Sequence, residues 1–461
     1  MSNTKQAANA AIAVTSDTST LLRALAKTFT RGTIFVSELI QNARRAGATL
    51  IRVTVTEDEF TVVDDGVGIA DFSDLLAMAK SGWEESVQRS DRPYGLGWFA
   101  GLFNAASIEV ISRGQRLAAS TEHLLALRPV GLEPVEFTAG TTMTLRGHGR
   151  SVMDLERAVT HLASSYPVPI ELNGTLLERP RAVDAPLDWV DIGIGLINRA
   201  CLLTGGGYSL FLQGAPIGRD MHGRGNYRST FGYLHLDSTQ FEGRLPDRDC
   251  LIEPEKAHLR IEEAVRLGAL REIEALRPGM TDEDFIGTYG ERLAELQAWD
   301  LLSSFDCVPT RWVTRYDVDG GRLALNSDCE DGWNFPEGAV VSRAELAARG
   351  VFSDDDYGED VRAAAWVAFK GGYRVRLCSN GLDAHWLGEM VATVQPDEIT
   401  VRLEDPVGEP TSVDGSWADC TLQVAKRVFL VHATLGEVEV PSGEGVFVAD
   451  DGTIYARPDT A

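Results

Sequence analysis

The stretch FVSELIQNARRAG at residues 35–47 decides the fold of the first part of this chain. Its apolar residues recur at helical spacing, which predicts a buried helix with one polar edge. Glu38 and Asn42 stand four residues apart, so both side chains project from that edge. A carboxylate that reaches a water can act as a general base, and an amide oxygen is a hard ligand that suits Mg2+.

Two further pieces follow this helix at short intervals. Residues 51–55 alternate apolar and polar side chains, which predicts a strand, and a second strand at 61–63 leads into the sequence DDGVG. The closely spaced Gly66 and Gly68 allow the backbone to approach a ligand, because neither carries a Cβ atom. The third piece, RPYGLGWFAG at 92–101, again places two glycines close together.

Together the three pieces resemble the GHKL ATPases, which include gyrase, the ninety-kilodalton heat-shock chaperones, the histidine kinases and the MutL mismatch-repair proteins. The resemblance implies an α+β fold with an N-terminal Bergerat-fold sandwich of helices on a mixed sheet, and it implies ATP and Mg2+ as cofactors. It makes Glu38 the general base that positions the attacking water, and Asn42 the ligand of the Mg2+ that bridges the phosphates. Taken singly, each piece is also typical of a solvated helix edge or a turn, but their common order and spacing favour a nucleotide site.

The resemblance also implies which groups hold the nucleotide. Asp64 would accept a hydrogen bond from the adenine amino group, and Gly66 and Gly68 would make room for the base. Thr141, which follows a glycine before a predicted strand, would reach the adenine edge. Backbone N–H groups of the third piece would bind the phosphates at the start of a helix, and the residues concerned are Gly95, Leu96 and Gly97.

The interval between the second and third pieces resembles the lid that folds over bound ATP in this family. Its string AKSG at 79–82 is similar to the same string in the heat-shock chaperones. Lys80 is therefore a candidate contact to the nucleotide or the lid, although a solvated lysine fits the sequence equally well. A mobile segment between two phosphate-facing pieces is what a gate requires, since closure excludes water.

Two positions depart from the chaperone pattern. The chaperones carry an aspartate where this chain has Arg45, and a glycine where it has Arg92. The first change removes one polar partner near the nucleotide, and the second stiffens the start of the phosphate-binding loop. Neither change removes the predicted base or the predicted metal ligand.

The length of the chain and its turn-rich breaks predict several domains. We expect 1–20 to be a disordered lead-in, 21–180 to be the ATP-binding domain, 185–303 to be a transducer-like domain of the ribosomal-S5-like α/β type, and 306–461 to be a small β-rich domain of unknown role. Short β-like runs bounded by turn residues favour an antiparallel arrangement in the last of these.

Two helices are predicted in the transducer-like region. The first covers LDWVDIGIGLINRA at 187–200. The second begins near Lys256, and its apolar face is predicted to hold Leu259, Ala264, Leu267 and Leu270.

The segment at 243–266 resembles the chaperone segment that supplies a cation to the γ-phosphate of the neighbouring pocket. Lys256 is the best candidate for this cation, with Arg244 and Arg248 as alternatives. A cation there would stabilise the charge that develops on the transferred phosphoryl group. An ordinary charged residue in the first turns of a helix is the competing interpretation for each of them.

Composition narrows the class of protein. The net charge of -25 over 461 residues argues against a diffuse basic surface for nucleic acid. No apolar run approaches the roughly 18 to 20 residues that span a bilayer. The six cysteines form no C-x-x-C pair, which favours a reducing cytoplasmic location over a zinc site or a disulfide scaffold.

The third piece, GLGWFAG, looks most like that of the heat-shock chaperones. The sequence therefore predicts an ATP-gated clamp with slow Mg2+-dependent ATP hydrolysis, which forms a homodimer or binds a protein client through its C-terminal domain. The RAGAT string at 45–49 and the DDG spelling instead resemble the MutL and microrchidia ATPases, which act on DNA. An ATP-sensing module without significant turnover is a further alternative. A histidine kinase is disfavoured because no histidine precedes His123.

Overall fold

In a computed structural model, the structure describes residue 22 and ten further ranges: 33–76, 97–221, 232–244, 250–316, 333–354, 362–376, 381–414, 419–441, 446–448 and 453–456. The chain divides into two compact units, Met1–Ala269 and Leu270–Ala461. The predicted lead-in at 1–20 lies outside the described residues. The predicted domain boundaries near 180 and 303 remain predictions.

The first unit begins with an eight-stranded sheet in the order β5-β4-β3-β6-β2-β1-β7-β8. The pairing of β1 with β7 is parallel and that of β1 with β2 is antiparallel, so the predicted mixed sheet is present. Its elements are α1 (Ile34–Arg45), β1 (Ile51–Val55), β2 (Glu59–Asp64), α2 (Ser73–Leu76), α3 (Gly97–Phe103), β3 (Ser107–Ser112), β4 (Gln115–Ser120), α4 (Thr121–Leu125), β5 (Leu132–Pro134), β6 (Thr141–Arg146), α5 (Val152–Ala163), β7 (Ile170–Leu172) and β8 (Thr175–Leu176).

The core of this sheet follows from the sequence pattern. Strand β1 buries its first, third and fifth residues and exposes the two between them, as the alternation of apolar and polar side chains predicts. Helix α1 buries Phe35 and Ile40 completely, and the Phe35 ring meets the Phe60 ring of β2 edge to face, with 5.1 Å between their centroids. The packing of α1 on the sheet therefore fixes where the polar edge of α1 lies.

A second, five-stranded sheet in the order β12-β11-β13-β10-β9 completes the first unit. Its elements are β9 (Trp189–Asp191), β10 (Gly195–Asn198), α6 (Arg199–Thr204), β11 (Tyr208–Leu212), β12 (Ala215–Met221), β13 (Gly232–Leu236) and α7 (Pro254–Leu276), which runs past the boundary between the units.

The prediction of a helix at 187–200 is wrong. The segment is a hairpin of β9 and β10, and Gly193 occupies the left-handed region at its turn with a φ of +81°. The carboxylate of Asp191 accepts a hydrogen bond from the Gly193 N–H at 2.7 Å, which stabilises this turn. Two glycines so close together favour a turn over a helix interior, where each glycine costs about 1 kcal/mol relative to alanine.

Helix α7 is present, but its predicted apolar face is wrong. Leu259 and Leu267 are exposed, and the buried side carries Ala257, Ile261 and Val265 instead. A Cβ atom on Gly268 would collide with Ile192, in the turn between β9 and β10, so this part of α7 packs closely against that hairpin. Among the described helices, none is both long and apolar enough to cross a membrane.

The second unit contains a two-stranded sheet and two five-stranded sheets. It is β-rich, as predicted, but the antiparallel prediction fails because β18 pairs in parallel with β19 and β20, and β22 with β25. Its elements are α8 (Asp282–Glu295), α9 (Trp299–Leu302), β14 (Cys307–Pro309), β15 (Val313–Tyr316), β16 (Trp333–Asn334), β17 (Val340–Ser342), α10 (Arg343–Arg349), β18 (Val351–Asp354), α11 (Arg362–Lys370), β19 (Tyr373–Val375), α12 (Trp386–Met390), β20 (Val391–Val394), β21 (Ile399–Asp414), β22 (Asp419–His432), β23 (Gly436–Glu439), β24 (Val446–Val448) and β25 (Thr453–Ala456).

Candidate functional site

Three strand ends meet at one edge of the eight-stranded sheet. Strand β6 lies between β2 and β3, and its first residue, Thr141, is paired in register with Asp64 on one side and with Ser112 on the other. The strand register therefore places two sequence-predicted residues, Asp64 and Thr141, side by side. It adds Ser112, which the sequence analysis did not single out.

Asp64 is the buried carboxylate of this edge. It is 9% exposed, its Oδ1 accepts a hydrogen bond from the Gly66 N–H at 2.9 Å, and the Thr141 N–H also donates to it. Burial raises the pKa of Asp64 to about 6, against the lowering effect of these two hydrogen bonds. Asp64 is therefore a desolvated acceptor that is mostly ionised at neutral pH.

The adjacent Asp65 has the opposite environment. It is exposed, and its carboxylate accepts hydrogen bonds from the hydroxyl of Thr49 and from the backbone N–H groups of Thr49 and Leu50. These bonds hold the pKa of Asp65 below its usual range, with the Thr49 hydroxyl as the largest cause. Asp65 therefore closes the connection from α1 to β1, and Asp64 is left as the carboxylate of the site.

The glycines after Asp64 are required by the close packing of their loop. A Cβ atom on Gly66 would lie 2.7 Å from the Cβ of Ala46, and the next residue, Val67, donates its N–H to the Ala46 carbonyl at 2.9 Å. Gly68 has a φ of +71°, and a Cβ there would lie 2.7 Å from the Ser112 hydroxyl. The additional role predicted for these glycines, to make room for a base, remains a prediction.

Ser112 joins the two loops that border Asp64. Its side chain is fully buried, its hydroxyl donates to the Gly140 carbonyl at 2.7 Å, and it accepts from the Ile69 N–H at 2.9 Å. The same hydroxyl lies 3.4 Å from that of Thr141. A serine at the end of a strand is too common to be recognised in a sequence, and only the order of the strands shows that Ser112 lies beside Asp64.

Helix α1 places Glu38 against the start of α3. Glu38 is 5% exposed, and a Cβ atom on Gly97, the first residue of α3, would collide with its Oε2 atom. The absence of a side chain at Gly97 thus lets the Glu38 carboxylate lie beside the N-terminal end of that helix. The predicted general base and one predicted phosphate-binding glycine are neighbours.

Asn42 is engaged by a residue of its own helix. Its Oδ1 accepts a hydrogen bond from Nη1 of Arg45 at 3.0 Å, and Nη2 of the same guanidinium donates to Oε1 of Gln41 at 3.0 Å. The amide oxygen suits Mg2+ by its chemistry, but here it faces a permanent cation. As the structure holds it, Asn42 does not fit a magnesium ligand, so we derive no chemical step through the metal. Within the described ranges, no group of three or more histidine, cysteine or acidic side chains is arranged to hold a metal ion.

The remaining predicted site residues are not brought together with Asp64 and Glu38 by any described contact. Lys256 lies in the first turn of α7, its side chain is 75% exposed, and it pairs with Glu253 at 2.9 Å. Arg244 is exposed, and its backbone N–H donates to the Cys250 carbonyl. The predicted residues that lie outside the described ranges are Lys80, Gly95, Leu96 and Arg248.

The second sheet contacts the helix that carries Glu38. Nη2 of Arg44 in α1 donates to Oε1 of Gln213, in the turn between β11 and β12, at 3.4 Å. The next residue, Gly214, accepts a hydrogen bond from the Ser165 hydroxyl at 2.9 Å, and the neighbouring Tyr166 hydroxyl donates to the Ile40 carbonyl of α1 at 3.2 Å. This turn and α1 are therefore parts of one hydrogen-bonded network.

The raised pKa of Asp64 predicts a stability difference that depends on pH. The folded-state pKa of about 6 exceeds the ordinary value of 3.8, so the unfolding free energy of the protein falls as pH rises through that interval. Asp64→Asn removes this ionisation and keeps the acceptor for Gly66. We expect the variant to be more stable than wild type by about 1 to 3 kcal/mol at pH 8, and by little below pH ~4. Urea unfolding at both pH values measures this, and an equal difference at both would contradict it.

Ser112→Ala tests the connection between the two loops. The variant leaves the Ile69 N–H and the Gly140 carbonyl without their hydroxyl partner, at an expected cost of about 1 to 3 kcal/mol in unfolding free energy. Hydrogen exchange of the Ile69 amide should also accelerate. Ser107→Ala, at the other end of the same strand, is the control and should leave that exchange rate unchanged. An unchanged Ile69 amide in Ser112→Ala would refute this role.

The comparisons with known proteins concern the segment that holds this site. Residues 32–125 match a family model described as "Histidine kinase-, DNA gyrase B-, and HSP90-like ATPase". A comparison with curated proteins finds no match. Among solved structures, the ATPase domain of Aquifex aeolicus MutL complexed with ADP is 16% identical over 44% of this chain and 90% of that chain, with a TM-score of 0.28, a value at which the likeness carries no argument. The family match supports a GHKL-type ATPase domain in the N-terminal part of the chain, and with it ATP binding.

Proposed function

We propose that this chain binds ATP beside Asp64 and Thr141 and hydrolyses it slowly, with Glu38 as the general base. The observation that carries the proposal is the buried Asp64 carboxylate between two glycine-containing loops, inside the segment that matches the GHKL-type ATPase family. The finer proposal is an ATP-gated clamp of heat-shock-chaperone type.

The chemistry of Asp64 suits an adenine base. The exocyclic amine of adenine is a hydrogen-bond donor, and a buried ionised carboxylate is a strong acceptor for it. A donor that binds the carboxylate also offsets part of the free energy lost by its burial. Thr141, which is partly exposed and paired with Asp64, adds a hydroxyl group beside the carboxylate and favours a polar ring edge over an apolar ligand.

Glu38 suits the role of the base that activates a water. It is buried on α1, and the absence of a side chain at Gly97 leaves its carboxylate next to the backbone of α3. General bases contribute about 10²- to 10⁴-fold to such reactions. Lys256, or Arg244 or Arg248 in its place, is proposed as the cation that stabilises charge on the transferred phosphoryl group.

The network around Arg44 supports the clamp. ATP that binds along α1 would shift this helix, and the hydrogen bond from Arg44 to Gln213 would pass that shift to the second sheet. The clamp would close as a homodimer, or on a protein client bound through residues 306–461. The alternative of a DNA-transaction ATPase is less well supported, because a net charge of -25 opposes association with a polyanion. An ATP sensor without turnover would need no buried base.

Removal of the Glu38 carboxylate tests the proposed hydrolysis. Glu38→Ala should bind ATP with nearly unchanged affinity and lose turnover by at least about 100-fold, because a base acts in the chemical step. Calorimetric binding and phosphate release measure the two quantities separately.

Mass measurement with a non-hydrolysable ATP analogue tests the clamp, which requires a nucleotide-dependent dimer or client complex. A wild type that binds ATP without turnover would instead establish the sensor.

Two glycines of α3 offer a matched pair of substitutions. Gly97→Ala places a methyl group against the Glu38 carboxylate, whereas Gly101→Ala meets only Leu145 and Leu39 at ordinary contact distances of 3.6 to 3.7 Å. Gly101→Ala should leave the unfolding free energy equal or higher, since alanine favours a helix interior by about 1 kcal/mol over glycine, whereas Gly97→Ala must displace the Glu38 carboxylate. Gly97→Ala alone should lower turnover, by about 10-fold or more. Equal turnover in the two variants would exclude a catalytic position for Glu38.

A further inference from the structure

We infer that Arg45 serves as a built-in cation at Asn42, and that nucleotide binding by this chain is therefore only weakly dependent on Mg2+. This inference rests on the proposed function, because it concerns the nucleotide bound along α1. It assigns to Arg45 a positioning role that neither the family match nor the proposed hydrolysis includes.

The geometry of Arg45 fixes both the charge and the amide. Arg45 is 8% exposed. Its guanidinium donates from two different nitrogens, one to Asn42 and one to Gln41, which lie three and four residues earlier on the same helix. An arginine remains protonated even when it is buried, so the charge is permanent. The bond from Nη1 holds the Asn42 carboxamide oxygen toward the guanidinium, and the bond from Nη2 to Gln41 fixes the position of that planar group.

A metal ion on the same oxygen would meet this charge at close range. Mg2+ binds oxygen at about 2.1 Å, so it would lie within roughly 5 Å of the donor nitrogen of Arg45. Repulsion between a divalent and a monovalent cation at that distance is large wherever water is partly excluded. Mg2+ must therefore displace the guanidinium from Asn42 or bind without this ligand.

The same charge favours an anionic ligand without a metal. A phosphate group near the Asn42 end of α1 would be attracted by Arg45, as it would be by a bound metal ion. The two cations are therefore alternatives at this position. A chain that carries the arginine gains less from Mg2+ than one that carries a neutral or acidic residue there.

The experiment measures ADP affinity by calorimetry in EDTA and in excess Mg2+, with intact wild-type protein. ADP avoids any contribution from hydrolysis. We expect the dissociation constant of wild type to change by less than about threefold between the two conditions, and that of Arg45→Gln to be at least about tenfold lower with Mg2+. Glutamine keeps a donor for Asn42 and removes the charge.

Two further variants separate charge from packing. Arg45→Lys keeps the cation, so it should show a small Mg2+ effect as in wild type, even if it is less stable. Arg52→Gln removes an exposed arginine on β1 and should also behave as wild type. If Arg45→Gln does not fold, Arg45→Met, which also removes the charge, takes its place in the comparison.

The outcomes distinguish this inference from the function on which it rests. A wild type whose ADP affinity rises by more than about threefold with Mg2+ overturns the inference and leaves ATP binding intact. An equally small Mg2+ effect in Arg45→Gln does the same. A wild type that binds no ADP in either condition overturns the proposed function, and the inference with it.

Discussion

The burial of one carboxylate, that of Asp64, is the constraint on which the candidate site depends. An ionised carboxylate inside a protein is costly, and here the raised pKa records that cost. The site compensates with the N–H group of Gly66, two residues further along the chain, and with that of Thr141, which reaches Asp64 because β6 pairs with β2. The order of the strands therefore determines one of the hydrogen bonds that stabilise the Asp64 carboxylate.

The backbone of the loops around Asp64 is packed too closely to accept a side chain at several glycines. Gly140 has a φ of +76°, and a Cβ there would lie 3.0 Å from the Cα of Asp65. The Ser112 hydroxyl donates to the Gly140 carbonyl and accepts from the Ile69 N–H, so hydrogen bonds connect both loops to the end of β3. A buried carboxylate is stable only while its N–H donors stay within hydrogen-bonding distance, so well-ordered loops around Asp64 stabilise the site.

The sequence predicts the helix and strands that carry the candidate site better than it predicts the second sheet and α7. Helix α1 and strand β1 each bury one side. One-sided burial gives apolar residues a regular spacing, which can be recognised in the sequence. The hairpin at 187–200 is not visible in this way, because its turn depends on the backbone conformation of Gly193 and on the hydrogen bond that its N–H donates to Asp191. The buried face of α7 is missed for another reason: the helix also carries apolar residues on its exposed side, Leu259 and Leu267, so its apolar spacing alone does not show which side is buried.

Two residues reach the site in ways that the sequence does not show. Ser112 lies there because of the strand order, and Arg45 because it is bonded to Asn42. Ser112 is remote from Asp64 in the chain, and no spacing rule connects them. Arg45 departs from the chaperone pattern, but the sequence shows only that an aspartate is missing at this position and not which contacts the arginine makes. The structure shows what replaces it, a guanidinium bonded to Asn42 at 3.0 Å.

Consecutive arginines of α1 thus act in two directions. Arg45 binds the polar edge of its own helix, where the nucleotide is proposed to lie, and Arg44 binds Gln213 of the second sheet. Because one residue of a helix is rotated by about 100° from the next, adjacent side chains necessarily face different neighbours. A movement of α1 that changes the surroundings of Arg45 therefore changes the bond of Arg44 as well. Under the proposed function, a nucleotide that shifts α1 would in this way also affect the turn between β11 and β12.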